Sequence, residues 1–293
     1  MSFLSKLFGG KSRRLNFHQR FELIHSAISG TMSKVYKAKD RKTGEIVALK
    51  ILDPQKTADF ESRFKDPRFK NNPKPREGQI AVQFNHKYIV RTLEEGLTVD
   101  GEQYLVMEYL EGTGLNSVLM VKQDLMAGAR LHYIRQVAEA LQEVHAKGFI
   151  HRDICPRNLL FTGDANVLKL TDFGLTVPNC PPFTDAGNRT GTPDYMAPEL
   201  ARRKPTDHRL DIFSFGVSIY ELCTRQLPWP KGDSGLVAMT HVHPPEPIAT
   251  YRPAINKTLA AAIHTCIDPD PKERFESISQ FLRAISKVTY EDE

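Results

Sequence analysis

Residues 149–174 read FIHRDICPRNLLFTGDANVLKLTDFG, and the interpretation of the rest of the chain depends on this stretch. Two carboxylates, Asp153 and Asp172, occupy separate segments, and the amide of Asn158 lies between them in sequence. A short hydrophobic hairpin is predicted between the amide and the second carboxylate. Carboxylate and amide oxygens are the hard ligands that Mg²⁺ prefers. The stretch is therefore suited to an enzyme that holds metal-bound phosphates.

The composition indicates a globular protein that is large enough for two lobes. The chain has 293 residues, of which 40% are hydrophobic and 26% are charged. It contains no run of about 18 apolar residues, so we expect no membrane span. Its four cysteines are far apart and form no CxxC pair. This spacing favours reduced thiols and a cytoplasmic location over a disulfide framework or a zinc site.

The net charge of +5 is concentrated at the N-terminus. Residues 1–16 carry four basic residues and no acid, so the remaining chain carries only +1. A nearly neutral body argues against nucleic acid as the main partner. Residues 1–16 also have a short apolar face. We expect a flexible basic arm, and weak contact with a membrane surface or a partner is the alternative interpretation.

Strand patterns dominate the first third of the chain. Three runs within residues 17–52 are rich in β-branched and apolar residues, and turn signals separate them. Two further strands are predicted at residues 89–97 and 103–109. Residues 53–76 are polar, basic and rich in proline, so we predict a long surface connection there. At most one helical turn is expected in it, around residues 60–64.

Helical patterns follow a linker at residues 109–114. The run LHYIRQVAEALQEVHAKG at residues 131–148 keeps a 3.6-residue apolar period and ends at a glycine. Residues 211–222, DIFSFGVSIYEL, are apolar on nearly every side, which predicts a buried central helix. A β-rich part, a linker and a helix-rich part make a bilobal α+β architecture.

These residues together resemble the eukaryotic-type (Hanks-type) serine/threonine protein kinase family, and the chain is similar to its bacterial members. The resemblance covers roughly residues 17–288. Single triplets occur by chance, but here seven motifs occur in the family's order with similar gaps. They are Val47-Ala48-Leu49-Lys50, Glu77, His151-Arg152-Asp153 with Asn158, Asp172-Phe173-Gly174, Ala197-Pro198-Glu199, Asp211 before Ser214-Phe215-Gly216, and Arg274.

The resemblance implies a role for each polar motif residue, since this family is a standard example of enzymatic phosphoryl transfer. Lys50 would contact the α- and β-phosphates of ATP, and Glu77 would hold it by an ion pair. Asp172 would bind Mg²⁺, and Asn158 would bind a second ion. Asp153 would orient the attacking hydroxyl and accept its proton.

The phosphate-binding loop departs from the family pattern G-x-G-x-x-G-x-V. The pattern aligns with residues 28–35, where only the middle glycine, Gly30, is present. Ile28 and Ser33 occupy the other two glycine positions and add side chains where close backbone approach is needed. A serine at the third position also occurs in bacterial-type kinases. We therefore expect weaker or slower ATP binding rather than its absence.

By the same resemblance, six residues surround the adenine. Three would sandwich the ring, two would offer it backbone hydrogen bonds, and one would lie behind it at the gatekeeper position. In that order they are Val35, Ala48 and Leu160, then Glu108 and Leu110, then Met107.

The segment after residue 190 resembles the substrate-docking segment of serine/threonine kinases. Thr192 would help to position the acceptor hydroxyl. Glu199 and Arg274 would form a buried ion pair that supports the segment, and Asp211 would hold the catalytic loop from below. Tyrosine kinases usually carry a different, proline-centred sequence here.

Arg152 before the catalytic aspartate usually marks a kinase whose loop is ordered by phosphorylation, because an arginine can pair with a phosphate. The loop at residues 176–193 is rich in Pro, Thr, Gly and Asn, so it is expected to be mobile or regulated. Thr184 and Thr190 are the candidate phosphorylation sites in it.

Cys155 is the main departure from the family. Serine/threonine kinases normally have a lysine two residues after the catalytic aspartate, and a neutral thiol cannot neutralise phosphate charge. We hypothesise that Arg157, four residues after Asp153, partly takes over that charge. The alternative is that Arg157 is only a solvated surface residue. We also expect Cys155 to be a reactive thiol, because Arg152 and Arg157 could lower its pKa.

The sequence thus predicts transfer of the γ-phosphate of ATP to serine or threonine hydroxyls of unidentified protein substrates. ATP and Mg²⁺ are the expected cofactors. A pseudokinase that acts as a nucleotide-binding or scaffolding module is the alternative function.

Domain boundaries follow from the same patterns. The kinase domain is expected at residues 17–288, with a small lobe at 17–109, a hinge at 108–114 and a large lobe at 115–288. Residues 289–293 form an acidic tail.

Overall fold

The structure is a computed structural model that describes most of the chain. The described residues are 14–25, 28–29 (backbone only), 32–121, 124–187, 190–229 and 241–292. The predicted basic arm therefore lies almost wholly outside the described residues. Gly30 in the predicted phosphate-binding loop also lies outside the described residues, as do the side chains of Ile28 and Ser29.

One antiparallel sheet forms the N-terminal part. The strand order is β1-β3-β4-β6-β5, and the short β2 pairs with β3. A short helix, α1, precedes the first strand. The bounds are α1 Phe17–Arg20, β1 Phe21–Leu23, β2 Ile28–Ser29, β3 Ser33–Asp40, β4 Ile46–Leu52, β5 Thr92–Leu97 and β6 Gln103–Glu108. The predicted strand-rich character of this part is confirmed.

The central strand β4 explains how a lysine reaches the interior. Its sequence IVALKIL is buried from residue 49 to residue 52. Lys50 stands between its register partners Val35 on β3 and Leu105 on β6. Buried lysines are rare unless they are paired, so this position points to a partner for its charge.

The prediction of at most one helical turn in residues 53–76 is wrong, although more than half of these residues are exposed, as expected for a surface connection. The segment contains a nine-residue helix, α2 (Pro54–Ser62), and a 3₁₀ turn (Pro67–Phe69) before α3 (Glu77–Ala81). Asp53 caps α2, because its carboxylate accepts the backbone N–H of Lys56 at 3.0 Å. The prolines that suggested a loop include one at the first helical position, where proline favours a helix start.

Aromatic burial is the physical reason for that correction. Phe60, Phe64 and Phe69 are all buried in the main hydrophobic core. The ring centroids of Phe64 and Phe69 are 5.4 Å apart, and Phe69 lies 5.2 Å from Phe183. We call these four residues the phenylalanine cluster. Because Phe183 belongs to the loop at residues 176–193, the cluster joins that loop to the N-terminal part.

Helices make up most of the C-terminal part. Their bounds are α4 Leu115–Met120, α5 Arg130–Ala146, α6 Pro198–Ala201, α7 Arg209–Thr224, α8 Ile248–Tyr251, α9 Lys257–Cys266 and α10 Ile278–Ala284. The helices predicted at residues 131–148 and 211–222 are confirmed as α5 and α7. The protein therefore has the predicted bilobal α+β architecture.

The central helix α7 is buried along most of its length and contacts both α5 and α9. Gly216 allows the close approach to α9, since a Cβ at this position would lie 2.6 Å from Cβ of Cys266. Asp211, in the first turn of α7, is fully buried. A buried carboxylate needs hydrogen-bond donors, and the loop after Ile150 provides them.

Two small antiparallel pairs of strands carry the loops of interest. β7 (Phe149–Ile150) pairs with β10 (Val177–Pro178), and β8 (Leu159–Phe161) pairs with β9 (Leu168–Leu170). The loop with Asp153 connects β7 to β8. The loop with Asp172 connects β9 to β10. The pairing of these strands therefore anchors both loops on the same scaffold.

Both ends of the described chain are held against it. Leu15 donates its backbone N–H to Leu97 and accepts that of Val99, at 2.9 Å each. Glu291 is buried and accepts hydrogen bonds from the backbone and side chain of Arg130.

Among the helices in the described ranges, none is long and apolar enough to cross a lipid bilayer.

Candidate active site

A buried lysine joins three elements at the centre of the site. Nζ of Lys50 on β4 lies 2.6 Å from Oε1 of Glu77, the first residue of α3. The same Nζ lies 2.9 Å from Oδ1 of Asp172 in the loop after β9. The family resemblance implied the first contact, but not the second.

Charge attraction outweighs burial for Lys50 and Asp172, whereas burial raises the pKa of Glu77. Burial alone would lower the pKa of Lys50, but the charges of Asp172 and Glu77 raise it above its ordinary value. Burial would raise the pKa of Asp172, but Lys50 holds it at about 2. All but the most acidic conditions therefore keep the lysine charged and Asp172 ionised.

The start of α3 is fixed by neighbours on β5. NH2 of Arg76 lies 3.2 Å from Oε2 of Glu95, and the backbone N–H of Arg76 donates to Oε1 of Gln79 at 2.9 Å. Gly78 packs directly on Glu95, because a Cβ at residue 78 would lie 2.5 Å from Cβ of that glutamate. These contacts determine where Glu77 meets the lysine.

Asp211 holds the loop after β7 through its backbone. Its Oδ2 accepts the N–H of His151 at 2.7 Å, and its Oδ1 accepts the N–H of Arg152 at 2.8 Å. Arg152 has a φ of 69°, an uncommon value for a residue with a side chain. The two hydrogen bonds stabilise this strained turn, which leads directly into Asp153.

Several donors orient the carboxylate of Asp153. Oδ1 accepts the hydroxyl of Thr192 at 2.6 Å and its backbone N–H at 3.1 Å. Oδ2 accepts Nδ2 of Asn158 at 2.9 Å and lies 3.4 Å from NH2 of Arg157. A carboxylate that is held from both sides keeps one direction, as the orientation of a reacting hydroxyl requires.

Asn158 and Asp172 retain oxygen atoms that could hold a cation. Nδ2 of Asn158 donates to the backbone carbonyl and the side chain of Asp153. No residue in the described ranges donates to Oδ1 of Asn158, and that oxygen is a suitable ligand. The Asp172 side chain is 43% exposed although one of its oxygens contacts Lys50. Two hard oxygen donors of this kind fit Mg²⁺.

A cavity of about 290 Å³ brings seven of the residues proposed from the sequence together. Their side chains come from β3, β4, α3, both loops and the substrate-docking segment, so the cavity lies where these elements meet. They are Ser33, Lys50, Glu77, Asp153, Arg157, Asp172 and Thr192. Asn158 lies behind Asp153 and is buried.

The residues proposed to surround adenine do not line this cavity. Each of the six has a half-buried side chain. Ala48 on β4 is the register partner of Met107 on β6, and the backbone N–H of Glu108 donates to the carbonyl of Arg91. Their contact with a nucleotide base therefore stays a proposal.

The prediction that Cys155 is a reactive thiol is wrong. The residue is 1% exposed. Burial, with a smaller effect of the Asp153 charge, raises its pKa to about 12. Arg157 lowers this value too little to compensate, and the guanidinium of Arg152 instead donates to the carbonyl of Phe183. The thiol is therefore neutral and inaccessible.

Both candidate phosphorylation sites are at least half-buried. Thr190 is buried and its hydroxyl lacks a hydrogen-bond partner within the described ranges, while Thr184 is half-buried.

The predicted ion pair between Glu199 and Arg274 is present, with two contacts of 2.8 and 2.9 Å. It is buried and supports the start of α6.

The sequence did not reveal the wall of the cavity that residues 53–76 supply. Thr57, Phe60, Glu61 and Lys74 all line the cavity. The available signal was the spacing of the aromatic residues in this segment, which places apolar rings on one side of a helix and of the turn that follows. Because charged residues lie between the aromatic residues, this apolar spacing is hard to recognise in the sequence.

The burial of Cys155 predicts selective labelling. A small alkylating reagent applied to the native protein should modify the half-buried Cys180 first. Cys155, Cys223 and Cys266 should react only after denaturation, because a buried neutral thiol is a poor nucleophile. Peptide mapping by mass spectrometry measures the order. Labelling of Cys155 as fast as that of Cys180 in the native protein would contradict the assignment.

Comparison with known proteins identifies the family. Residues 24–284 match the protein kinase domain. A probable serine/threonine-protein kinase of Clostridium acetobutylicum is 32% identical over 276 residues, which is 92% of this chain and 40% of that protein. Serine/threonine-protein kinase Pkn1 of Myxococcus xanthus is 33% identical over 275 residues, covering 90% and 38% of the two chains.

Serine/threonine-protein kinase PknA of Mycobacterium tuberculosis is 33% identical over 278 residues, which is 92% of this chain and 61% of that protein. The chain thus spans between 38% and 61% of the length of these three relatives. The match covers every motif residue from Lys50 to Arg274. The chain belongs to the protein kinase domain family.

Proposed function

We propose that this chain transfers the γ-phosphate of ATP, in the presence of Mg²⁺, to serine or threonine hydroxyls of protein substrates. The observation that carries the proposal is the junction of Lys50 with Glu77 and Asp172, which lines the same cavity as Asp153. A charged lysine, two metal-binding side chains and an oriented carboxylate are the groups that phosphoryl transfer needs.

The chain's own residues would first bind and hold the phosphates. Mg²⁺, when bound, supplies positive charge to phosphate oxygens. Asn158 and Asp172 would hold it through the oxygen atoms that face the site. Lys50 would bind the α- and β-phosphates through its Nζ, and Glu77 would keep that ammonium in place.

Asp153 would orient the acceptor and remove its proton. Its Oδ1 now accepts the hydroxyl of Thr192, so an incoming hydroxyl would bind at the same carboxylate. As the new oxygen–phosphorus bond forms, the bond from the γ-phosphorus to the bridging oxygen breaks and ADP leaves with the electron pair. The hydroxyl proton passes to Asp153. Positioning supplies much of the rate, because the reactants are held in line.

The choice of serine or threonine over tyrosine rests on two supports. Thr192 lies directly on the proposed base, as in the substrate-docking segment that the sequence resembles. The relatives named above are serine/threonine-protein kinases by name. A pseudokinase role remains as the outcome that the experiment below would reveal.

Nucleotide binding is proposed to be weaker than in kinases with a complete glycine-rich loop. Ile28 and Ser33 replace two glycines of that loop, and Gly30 keeps the third. The hinge backbone would hydrogen-bond the adenine near Met107, and the ring would lie between Val35, Ala48 and Leu160. Titration with ATP measures this affinity.

The extent and location of the domain are also proposals. We place the kinase unit at residues 17–288, which contains the matched residues 24–284. A cytoplasmic location would suit the four free cysteines, three of which are buried.

Arg157 is proposed to supply part of the positive charge that Cys155 lacks. Its side chain is 54% exposed, and its NH2 lies 3.3 Å from the hydroxyl of Thr192 and 3.4 Å from Asp153. This places a guanidinium at the mouth of the cavity. An exposed charge is screened by water, so its effect would be partial.

The direct test is transfer of labelled γ-phosphate to a generic basic protein, followed by phosphoamino-acid analysis. We expect label on serine and threonine, and a loss of about 10²-fold or more in kcat for Asp153→Asn, because the base is removed. Thermal unfolding of the variant should match that of the wild type. Absence of transfer by the wild type with Mg²⁺-ATP, despite nucleotide binding, would instead support the pseudokinase role.

Arg157→Ala should lower kcat by about tenfold, while the affinity for ATP changes little, because the charge would act mainly in the transition state. Initial rates at varied ATP concentration separate the two effects. The exposed Arg202→Ala variant is the matched control and should behave like the wild type. Equal changes in kcat and in ATP affinity would remove this role for Arg157.

A further inference from the structure

The catalytic loop offers little positive charge to a transferred phosphoryl group. Cys155 is buried and neutral, and Arg157 is half-exposed at the mouth of the cavity. Lys50 is committed to two carboxylates. A site that stabilises charge on phosphate oxygens needs a desolvated cation close to them. Such a cation would have to come from another wall of the cavity.

Lys74 meets this need from an unexpected segment. It lies between the 3₁₀ turn and α3, and its side chain lines the cavity that also contains Asp153, Asp172 and Thr192. Nζ of Lys74 lies 5.3 Å from the ring centroid of Phe60 and 5.8 Å from that of Phe64. Two aromatic rings thus hold the ammonium in place.

The charge of Lys74 is not neutralised inside the protein. Its hydrogen bond goes to the carbonyl of the adjacent Pro75, at 3.2 Å. Within the described ranges, no carboxylate lies at salt-bridge distance from it, although the charges of Glu77 and Glu61 stabilise its charged form from farther away and the charge of Arg152 opposes them. Burial lowers its pKa to about 8, so at neutral pH most molecules still carry the charge.

A hydroxyl accompanies this cation. Thr57 on α2 lines the same cavity and is buried, and its Oγ1 has no hydrogen-bond partner among the described residues. A buried hydroxyl without a partner is unfavourable, and the half-buried ammonium of Lys74 has no carboxylate in direct contact among the described residues. An anion that enters the cavity would satisfy both groups.

We propose that Lys74 binds the terminal phosphate of the nucleotide and supplies positive charge that the catalytic loop lacks at Cys155. Thr57 is placed to donate a hydrogen bond to the same phosphate. Lys74 keeps its proton throughout transfer, since its role is to stabilise charge. The inference rests on the proposed function, because it requires a nucleoside triphosphate in this cavity.

This role distinguishes a triphosphate from a diphosphate. ADP lacks the phosphate that Lys74 would contact, so the residue should contribute to binding of ATP and not of ADP. A purely structural lysine would affect both nucleotides equally or neither. The comparison can be made without a protein substrate and without turnover, if a non-hydrolysable ATP analogue is used.

The experiment measures the dissociation constants of the ATP analogue and of ADP, both with Mg²⁺, by calorimetric titration. Lys74→Met should weaken binding of the analogue by about tenfold and leave ADP binding unchanged, as expected for loss of a charge-assisted hydrogen bond. Lys74→Arg, which keeps the charge, should retain most of the preference for the triphosphate. Lys70→Met is the matched control, because Lys70 is exposed in the same segment.

Two outcomes would overturn the proposal, and they are distinguishable. If the wild type transfers phosphate but Lys74→Met weakens both nucleotides equally, or neither, only the role of Lys74 fails. If the wild type binds neither nucleotide and transfers no phosphate, the proposed function fails with it. Lys74→Gln, of similar length and polar, replaces the methionine variant if the latter unfolds early in a thermal scan.

Discussion

The ammonium of Lys50 is the contact on which the arrangement of the site depends. It joins the central strand β4 to the first residue of α3 and to the loop after β9. Loss of one partner would leave a buried charge without compensation, which typically costs about 3–5 kcal/mol. The two ion pairs of Lys50 therefore fix the positions of the sheet, the short helix and the loop relative to one another. Asp211 fixes the position of the loop after β7 by accepting two backbone hydrogen bonds from it.

Apolar packing adds a second constraint. The phenylalanine cluster fastens residues 53–76 to Phe183, in the segment that precedes the substrate-docking residues. NH2 of Arg152 donates to the carbonyl of Phe183 from the other side. Phe183 is therefore held by packing and by a backbone contact. The same cluster presents Lys74 to the cavity, so one group of rings supports both the docking segment and the candidate phosphate site.

The sequence predicted the parts of the site that depend on local motifs. Lys50, Asp153 and Asp172 stand in short patterns whose strands and turns form from nearby residues, and the structure brings all three to one cavity. The helix and the buried phenylalanines of residues 53–76 were missed because the rings pack on Phe183, which is more than one hundred residues away. No local period reveals such a partner, since prolines and charges lie between the aromatic residues.

The pKa of Cys155 was also misjudged, because the sequence does not show which charges lie near the thiol. Two arginines lie within three residues of it in sequence, which suggested a lowered pKa. The fold turns Arg152 towards Phe183 and leaves Arg157 half in solvent, so burial dominates and the thiol stays neutral. Distance along the chain does not determine which charges a buried group experiences. The position of each charged side chain in the folded protein determines which charges the buried group experiences.

The ammonium of Lys50 holds the start of α3 and the loop after β9 together through its two ion pairs. Amide hydrogen exchange of the nucleotide-free protein tests it most directly, by comparison of the wild type with Lys50→Met. We expect exchange at least about tenfold faster in the variant at residues 77–83 and 172–177, with α9 unchanged as an internal reference. Equal protection of both segments in the two proteins would contradict it.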